Sequence, residues 1–281
     1  MSFRKNETML RTPLNTALKK FAENQDNASL QQFKTELKNL ADESAWVPML
    51  VKAEDKNNIR LLTFNSRGNT YVGFLSDNSE FKKESRADIT VTDINKLLDV
   101  VFENSVLDGI VIDPYTTQFY MDKSFLLETL LHTDFDGIKT YTKSPRNWGN
   151  GIPSYSDFDI MTDEEIQNFA LQIVYEYDLI QNGYQIVSIT DDINAFPNII
   201  AKKDDELVFI LVRGYCINNT CGLADEIFDK MMLLSEKYRI KSFFADVGFR
   251  SSDDERFEEG LLLCGDGFYA DYKGLREISL K

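Results

Sequence analysis

A stretch without regular apolar spacing divides this chain and limits the folds open to it. Residues 139–159 contain two prolines, two glycines and several serine and asparagine residues. Such a composition is typical of a linker or a long surface loop. The chain has 281 residues, enough for two domains of about 100–150 residues each. We therefore predict a first domain at 1–138, a linker or surface loop at 139–160, and a second domain at 161–281.

Apolar spacing in the first half predicts both helices and strands. Leucine and phenylalanine recur every three or four residues in the first two segments, which indicates helices. Ser29 is the expected N-cap of the second helix, and Thr92 that of the third. The predicted elements are helices at 10–21, 30–40, 94–101 and 123–131, and strands at 46–51, 59–64, 71–75, 107–112 and 118–121.

The second half shows a different order of elements. Thr162 and Glu165 form a capping-box pattern, and the long helix that follows ends at Asn182 and Gly183. After it the sequence predicts strands at 184–189, 197–203 and 207–212, a helix at 222–238, and strands at 241–247 and 268–272. The expected fold class is thus α+β or α/β, with two mixed α-β domains, the second with an αβββαβ core.

Charge restricts the partners of the protein. Acidic residues number 46 and basic residues 31, which gives a net charge of −15. Residues 1–132 carry 16 basic and 19 acidic side chains, whereas residues 133–281 carry 15 and 27, a net of −12. Phosphate binding depends on Lys and Arg, so we expect neither nucleic acid nor a membrane surface as partner. A basic protein partner fits better.

Cellular location follows from what the sequence lacks. The first residues contain no apolar segment of a signal peptide, and no apolar run approaches the length of a membrane span. Three cysteines are too few for a disulfide framework in a chain of this size. We expect a cytoplasmic protein.

The first half resembles the SseB N-terminal-domain family. The matching segments are the Trp46-Val47-Pro48 strand entry, the TYVGFL strand at 70–75, the GIVIDP segment at 109–114 and the FYMDK segment at 119–123. The resemblance implies a bacterial α/β module without an established enzymatic activity. It brings no catalytic residues and no cofactor. One departure is Phe74-Leu75-Ser76, where family members often have a Phe-Thr-Ser type of sequence.

The second half resembles the core of PD-(D/E)XK nucleases. In those enzymes two acids hold Mg²⁺ and a lysine supports the attacking water. The resemblance places Asn198 at the first acid, Leu211 at the second, Arg213 at the lysine and Glu176 at an occasional helical acid. Leucine offers no metal ligand, and arginine stays protonated. The resemblance therefore implies a degenerate, inactive core that binds no metal and no cofactor.

That interpretation predicts a specific geometry. Asn198 and Arg213 should lie at adjacent strand positions, with Leu211 on the same face as Arg213, because residues two apart on a strand share a face. A buried guanidinium needs a partner. We expect Glu176 or a neighbouring acid to hold it.

Other candidates for a chemical site are weak. His132 is the only histidine and ends a predicted helix, where a surface or capping role is expected. Cys216 and Cys221 form a single C-x4-C pair, which favours buried thiols over zinc. Acids cluster in two predicted turns, at 191–192 and 204–206, where they are usually solvated.

We expect a non-catalytic binding or scaffold protein that recognises a protein partner through its acidic half; neutralisation of a basic toxin or nuclease is one specific form. The candidate partner-contact residues are Trp148, Asp253, Asp254, Glu255, Glu258 and Glu259. One alternative is a metal-dependent hydrolase or phosphodiesterase that uses Asp191, Asp192 or Asp204. Another is a small-molecule sensor with an interdomain pocket. The sequence does not indicate an oligomeric state.

Overall fold

The structure is a computed structural model of the chain. It describes residues 13–55, 58–77, 88–132, 160–217, 225–252, 258, 260–264 and 266–279. The backbone divides into two compact units, Met1–Thr133 and Asp134–Lys281. Each unit has its own sheet.

The first unit mixes helices with a seven-stranded sheet in its described part. The helices are α1 (Pro13–Asn24), α2 (Asn27–Asp42), α3 (Ile94–Glu103) and α4 (Lys123–Leu131). The strands are β1 (Trp46–Asp55), β2 (Asn58–Leu61), β3 (Thr63–Ser66), β4 (Asn69–Phe74), β5 (Asp88–Asp93), β6 (Gly109–Ile112) and β7 (Phe119–Asp122).

One parallel pair lies in this sheet. The strand order is β2-β1-β4-β6-β7, with β3 paired to β4 and β5 paired to β1. β4 and β6 run parallel and the remaining pairs are antiparallel. Arg67 and Gly68 adopt positive φ angles of 52° and 89°, the left-handed conformation that a tight β3–β4 hairpin requires.

Aromatic rings join a helix of the first unit to its sheet, and an ion pair joins two of its helices. Phe33 of α2 is fully buried, and its ring lies 4.9 Å, centroid to centroid, from that of Phe119 in β7. Lys34 Nζ lies 2.6 Å from Glu128 Oε1, which links α2 to α4. The core of this unit therefore lies between these helices and the sheet.

The second unit contains a six-stranded sheet in its described part. Its elements are α5 (Asp163–Val174), a π-helical segment (Tyr175–Leu179), β8 (Gln185–Ile189), β9 (Ile199–Lys203), β10 (Glu206–Cys216), α6 (Asp225–Tyr238), β11 (Lys241–Ser251), β12 (Phe268–Tyr272) and β13 (Arg276–Ile278). The strand order is β12-β11-β10-β9-β8, and β13 pairs with β11. β8, β9 and β10 form an antiparallel meander, after which α6 crosses over to β11, parallel to β10.

The two helices of this unit cover opposite faces of β10. Ile210 and Val212 share an apolar cluster with Ala170 of α5, whereas Phe209 places its ring against Tyr238 of α6. Side chains alternate between faces along a strand. Leu211 and Arg213 therefore lie on the α6 face.

Gly214 sets the distance between α5 and β10. A Cβ atom at this position would lie 2.6 Å from the Ile166 carbonyl oxygen and 2.8 Å from Ala170 Cβ. Gln167 of α5 bonds to β10 on both sides of this contact, donating to Val212 O at 2.9 Å and accepting from Gly214 N at 3.1 Å. A glycine here lets the helix lie close enough for both bonds.

The predicted fold class is confirmed: both units mix helices and strands, and the second follows the order αβββαβ. Several boundaries were wrong. Asp26 and Asp93, rather than Ser29 and Thr92, cap α2 and α3, because an Asp side chain accepts from the first-turn N–H groups. The long helix continues beyond Val174 as a π-helical turn, and β5 and β13 were not predicted.

Candidate functional site

A buried amide fixes the loop between β8 and β9. The Asn198 side chain has no exposed surface. Its Oδ1 accepts from the Val212 N–H at 2.9 Å and from Arg213 Nη1 at 3.0 Å. Its Nδ2 donates to the carbonyl oxygens of Asp192 at 3.3 Å and Ala195 at 3.4 Å. One side chain thus ties the loop to β10.

The sequence explains why an asparagine occupies this place. The backbone ladder between β9 and β10 ends at Ile199 and Ile210. Pro197 has no N–H to donate, and the Val212 carbonyl instead accepts from Gln167 Nε2 and Arg213 Nη1. Asn198 N still donates to Ile210 O at 3.1 Å. The amide oxygen then supplies the acceptor that the next β10 N–H, that of Val212, requires.

Of the four positions suggested by the nuclease resemblance, the structure brings Asn198 and Arg213 into direct contact. Leu211 is fully buried on the same face as Arg213. Glu176 lies elsewhere: it is exposed and accepts from Gln172 Nε2 at 3.0 Å. Because α5 covers the opposite face of β10, the expectation that Glu176 holds Arg213 is wrong.

Two cations meet one aromatic ring on the α6 side of this loop. The Arg213 guanidinium carbon and the Lys230 ammonium each lie 5.2 Å from the centroid of the Phe196 ring. Arg213 is half-buried and Lys230 is exposed. Arg213 Nη1 also donates to the Val212 carbonyl at 2.8 Å, so its guanidinium is held by bonds as well as by the ring.

An acid-lined cleft lies where the same loop faces the start of α5. Its volume is about 410 Å³. The lining residues are Glu164, Glu165, Asn168, Asp191, Asp192, Ile193 and Asn194. Asn168 is one of these residues, and its amide oxygen is buried and has no hydrogen-bond donor in the described structure. Four carboxylate-bearing residues thus line the cleft, which suits a ligand that carries positive charge and N–H donors.

Local structure accounts for the position of each acid. Thr162 and Glu165 form the predicted capping box, with Glu165 N to Thr162 Oγ1 at 3.2 Å and Thr162 N to Glu165 Oε2 at 3.0 Å. Acids in the first turn of a helix are favoured by its dipole, which explains Glu164. Asp192 Oδ1 accepts from Asn194 N at 2.8 Å. The fold then brings the first turn of α5 and the β8–β9 loop together around one cleft.

The acids do not form a metal centre in the part of the chain that the structure describes. No group of three or more His, Cys, Asp or Glu side chains there is arranged to hold an ion. Asp204 and Asp205 form the β9–β10 turn at positive φ, apart from the cleft. The three acids considered for a hydrolase are therefore divided between two places.

The remaining candidates play structural roles or lie outside the described residues. His132 is the C-cap of α4 and is buried rather than on the surface, since 4% of it is exposed. Cys216 and Cys264 are buried. Trp148, Cys221, Asp253, Asp254, Glu255 and Glu259 lie outside the described residues, and Glu258 is exposed.

Sequence reasoning missed several residues of the site. Glu164, Asn168, Asn194, Phe196 and Lys230 became candidates only when the fold placed them together. The capping box was recognisable from the sequence as a helix start. Its position opposite Asp191 and Asp192 depends on how α5 crosses the sheet, which no local pattern encodes.

One family model matches part of the chain. Residues 164–278 are similar to a domain of unknown function (DUF8840). The match runs from the first turn of α5 to the last residue of β13 and therefore includes the β8–β9 loop together with α5 and α6. No curated protein and no solved structure matches the chain significantly. Among the described residues no helix is long and apolar enough to cross a membrane.

Proposed function

We propose that this protein is a non-catalytic binding protein, and that the acid-lined cleft between α5 and the β8–β9 loop receives a basic segment of a protein partner. The observation that carries the proposal is the cleft itself. Glu164, Glu165, Asp191 and Asp192 line a volume of about 410 Å³. The charge of the second unit acts in the same direction, because residues 133–281 carry a net charge of −12.

Arginine fits the cleft better than a simple cation does. A guanidinium offers five N–H donors in a plane, so it can bond to more than one carboxylate of the cleft together. A metal ion needs converging ligands, and the described acids are not grouped in that way. These features favour recognition of a basic protein over metal-dependent hydrolysis.

The family resemblances are part of this proposal. The second unit follows the order α5, β8, β9, β10, α6 and β11, which supports a degenerate PD-(D/E)XK core in which Leu211 and Arg213 replace an acid and a lysine. For the first unit we retain the SseB N-terminal-domain resemblance. A cytoplasmic binding protein of this kind could neutralise a basic toxin or nuclease, since charge complementarity raises association rates.

The test uses a fluorescein-labelled heptapeptide with three arginines, with binding followed by fluorescence anisotropy at low and at physiological salt. Glu164→Gln with Asp192→Asn removes two cleft charges, and Asp192→Asn keeps an acceptor for Asn194 N. We expect the affinity to fall by about three- to tenfold, the effect of two partly exposed ion pairs. Salt should weaken the wild-type complex.

Asp204→Asn with Asp205→Asn is the matched control. Both residues are exposed in the β9–β10 turn, and asparagine tolerates the positive φ that each adopts. The control makes the same change in net charge outside the cleft. Equal weakening by the two double variants, or binding that ignores ionic strength, would contradict the proposal.

A further inference from the structure

We propose that two copies of this chain associate through β12, whose outer edge pairs antiparallel with β12 of the second copy. This strand (Phe268–Tyr272) lies at one end of the sheet in the second unit and pairs with β11 alone among the described strands. Its three central residues, Tyr269, Ala270 and Asp271, are all exposed, and Tyr269 has 56% of its surface exposed. The inference does not depend on the function proposed for the acid-lined cleft.

Two hydrogen bonds establish how the backbone groups of β11 are directed. The Phe249 carbonyl accepts from Ile217 N at 2.8 Å, beyond the end of β10, so this residue faces away from β12. Ser252 N donates to Gly267 O at 2.9 Å, so that position faces the β12 side. Successive residues of a strand direct their backbone groups to opposite edges. The even-numbered residues at this end of β11 therefore bond to β12.

The register of the β11–β12 pair carries this assignment to β12. The even-numbered residues of β11 are paired with Tyr269 and Asp271, so the N–H and C=O groups of these two residues bond to β11. The groups that point away from the sheet belong to the other three residues, Phe268, Ala270 and Tyr272. Within the described part of the chain no hydrogen bond reaches these outward groups. Such an edge is a template for pairing with another strand.

The edge is complementary to itself, which favours a second copy as its occupant. With a two-fold axis at Ala270, Phe268 faces Tyr272 of the second copy, and each facing pair of outward residues exchanges two hydrogen bonds. Tyr269 then lies opposite Asp271 of the second copy, which places a phenol donor beside a carboxylate acceptor. The small side chain of Ala270 leaves room for both copies at the axis.

Local charge also favours a second copy over a basic segment. Residues 133–281 carry a net charge of −12, but residues 268–279 carry two acids and two bases, Asp271, Glu277, Lys273 and Arg276. This edge is therefore neutral within an acidic unit. Two copies can approach each other here without local repulsion, and a basic strand gains no net attraction from the edge itself.

The test is sedimentation velocity of the full chain at rising protein concentration and physiological salt, together with amide hydrogen exchange followed by NMR. We expect a reversible dimer. The outward amides of Ala270 and Tyr272 should become protected as the dimer forms, because pairing gives them acceptors. The inward amides of Tyr269 and Asp271 should be protected in the monomer as well. A dimer that leaves the outward amides unprotected would overturn the proposal.

Ala270→Pro tests the edge directly. Proline removes the outward N–H without removing a hydrogen bond to β11, and it is tolerated on edge strands. It should weaken the dimer by at least about tenfold, because each copy loses a hydrogen bond at the axis. Ala270→Ser is the control, since it keeps the N–H and adds only a small side chain. This variant should dimerise within about twofold of the wild type.

Two further results would overturn the proposal. One is a chain that stays monomeric at every concentration, or a dimer that Ala270→Pro and Ala270→Ser weaken equally. The other is a monomer whose Ala270 and Tyr272 amides become protected only when the three-arginine heptapeptide is added. In that case the edge would receive a basic partner strand instead of a second copy.

Discussion

The Asn198 side chain fixes the β8–β9 loop, which lines the acid-lined cleft. The loss of folding stability on removing this side chain can be estimated from its hydrogen bonds. Asn198→Ala deletes four hydrogen bonds. The carbonyls of Asp192 and Ala195 are on residues that solvent can reach, and water can replace those bonds. The Val212 N–H is on a fully buried residue and cannot be solvated. An unsatisfied buried donor costs about 1–3 kcal/mol, and with the lost contact to Arg213 we expect a destabilisation of about 2–4 kcal/mol.

Hydrogen exchange is the appropriate assay, since the two units need not unfold in one transition. The β10 amides around Val212 should exchange about 30- to 1000-fold faster in Asn198→Ala, the rate equivalent of that free energy. Asn198→Asp keeps the acceptor for Val212 N–H and Arg213 and should lose less than half as much. Asn194→Ala removes an exposed side chain from the same loop and should change stability by less than about 0.5 kcal/mol. If the β10 amide hydrogens exchange at the same rate in Asn198→Ala and in Asn194→Ala, the Asn198 side chain does not hold the β8–β9 loop.

Three further predictions concern the scaffold of the two units. Gly214→Ala should destabilise the second unit by about 1–3 kcal/mol in urea unfolding, because the alanine Cβ would overlap the Ile166 carbonyl and Ala170. An unchanged urea midpoint would show that α5 can shift away from β10. Burial and the hydrogen bond to Asp178 (2.5 Å) raise the pKa of Tyr272 above its usual value of 10.0. The contribution of Tyr272 to stability is therefore complete below pH 10 and is lost as the pH rises further. Tyr272→Phe should flatten the alkaline fall in stability, and an unaltered pH profile would count against this. Lys34→Met leaves Glu128 without its buried partner and should destabilise the first unit by about 1–3 kcal/mol. The double variant Lys34→Met with Glu128→Leu should recover part of that loss. No recovery in the double variant would show that the ion pair does not stabilise the unit.

Local sequence patterns predicted much of the fold. The capping box at Thr162 and Glu165, the polar turn at Asp204 and Asp205, and helix α4 all depend on neighbouring residues, and the structure contains them. Strand β5, DITVTD, alternates the apolar Ile89 and Val91 with polar residues, but it was missed because Thr92 was interpreted as the N-cap of the following helix. Strand β13 is three residues long, too short to show a period.

The candidate sites were less accessible to sequence reasoning. The sequence predicted that Asn198 and Arg213 lie at adjacent strand positions. In the structure Asn198 lies just before β9, and its side chain contacts Arg213. The expectation that Glu176 holds Arg213 was wrong because the sequence does not reveal which face of the sheet a helix covers. Phe196 and Lys230 are 34 positions apart, and only the crossover through α6 brings them together.

The most direct test of the central claim is to locate a bound basic segment on the protein. The three-arginine heptapeptide, carrying a nitroxide at one end, can be added to the isotopically labelled chain, and paramagnetic broadening of amide resonances measured by NMR. The acid-lined cleft predicts the strongest broadening at residues 163–168 and 191–194, with little at 203–206. Equal broadening at the two places, or broadening strongest at 203–206, would show that the peptide follows net charge alone and would contradict the claim.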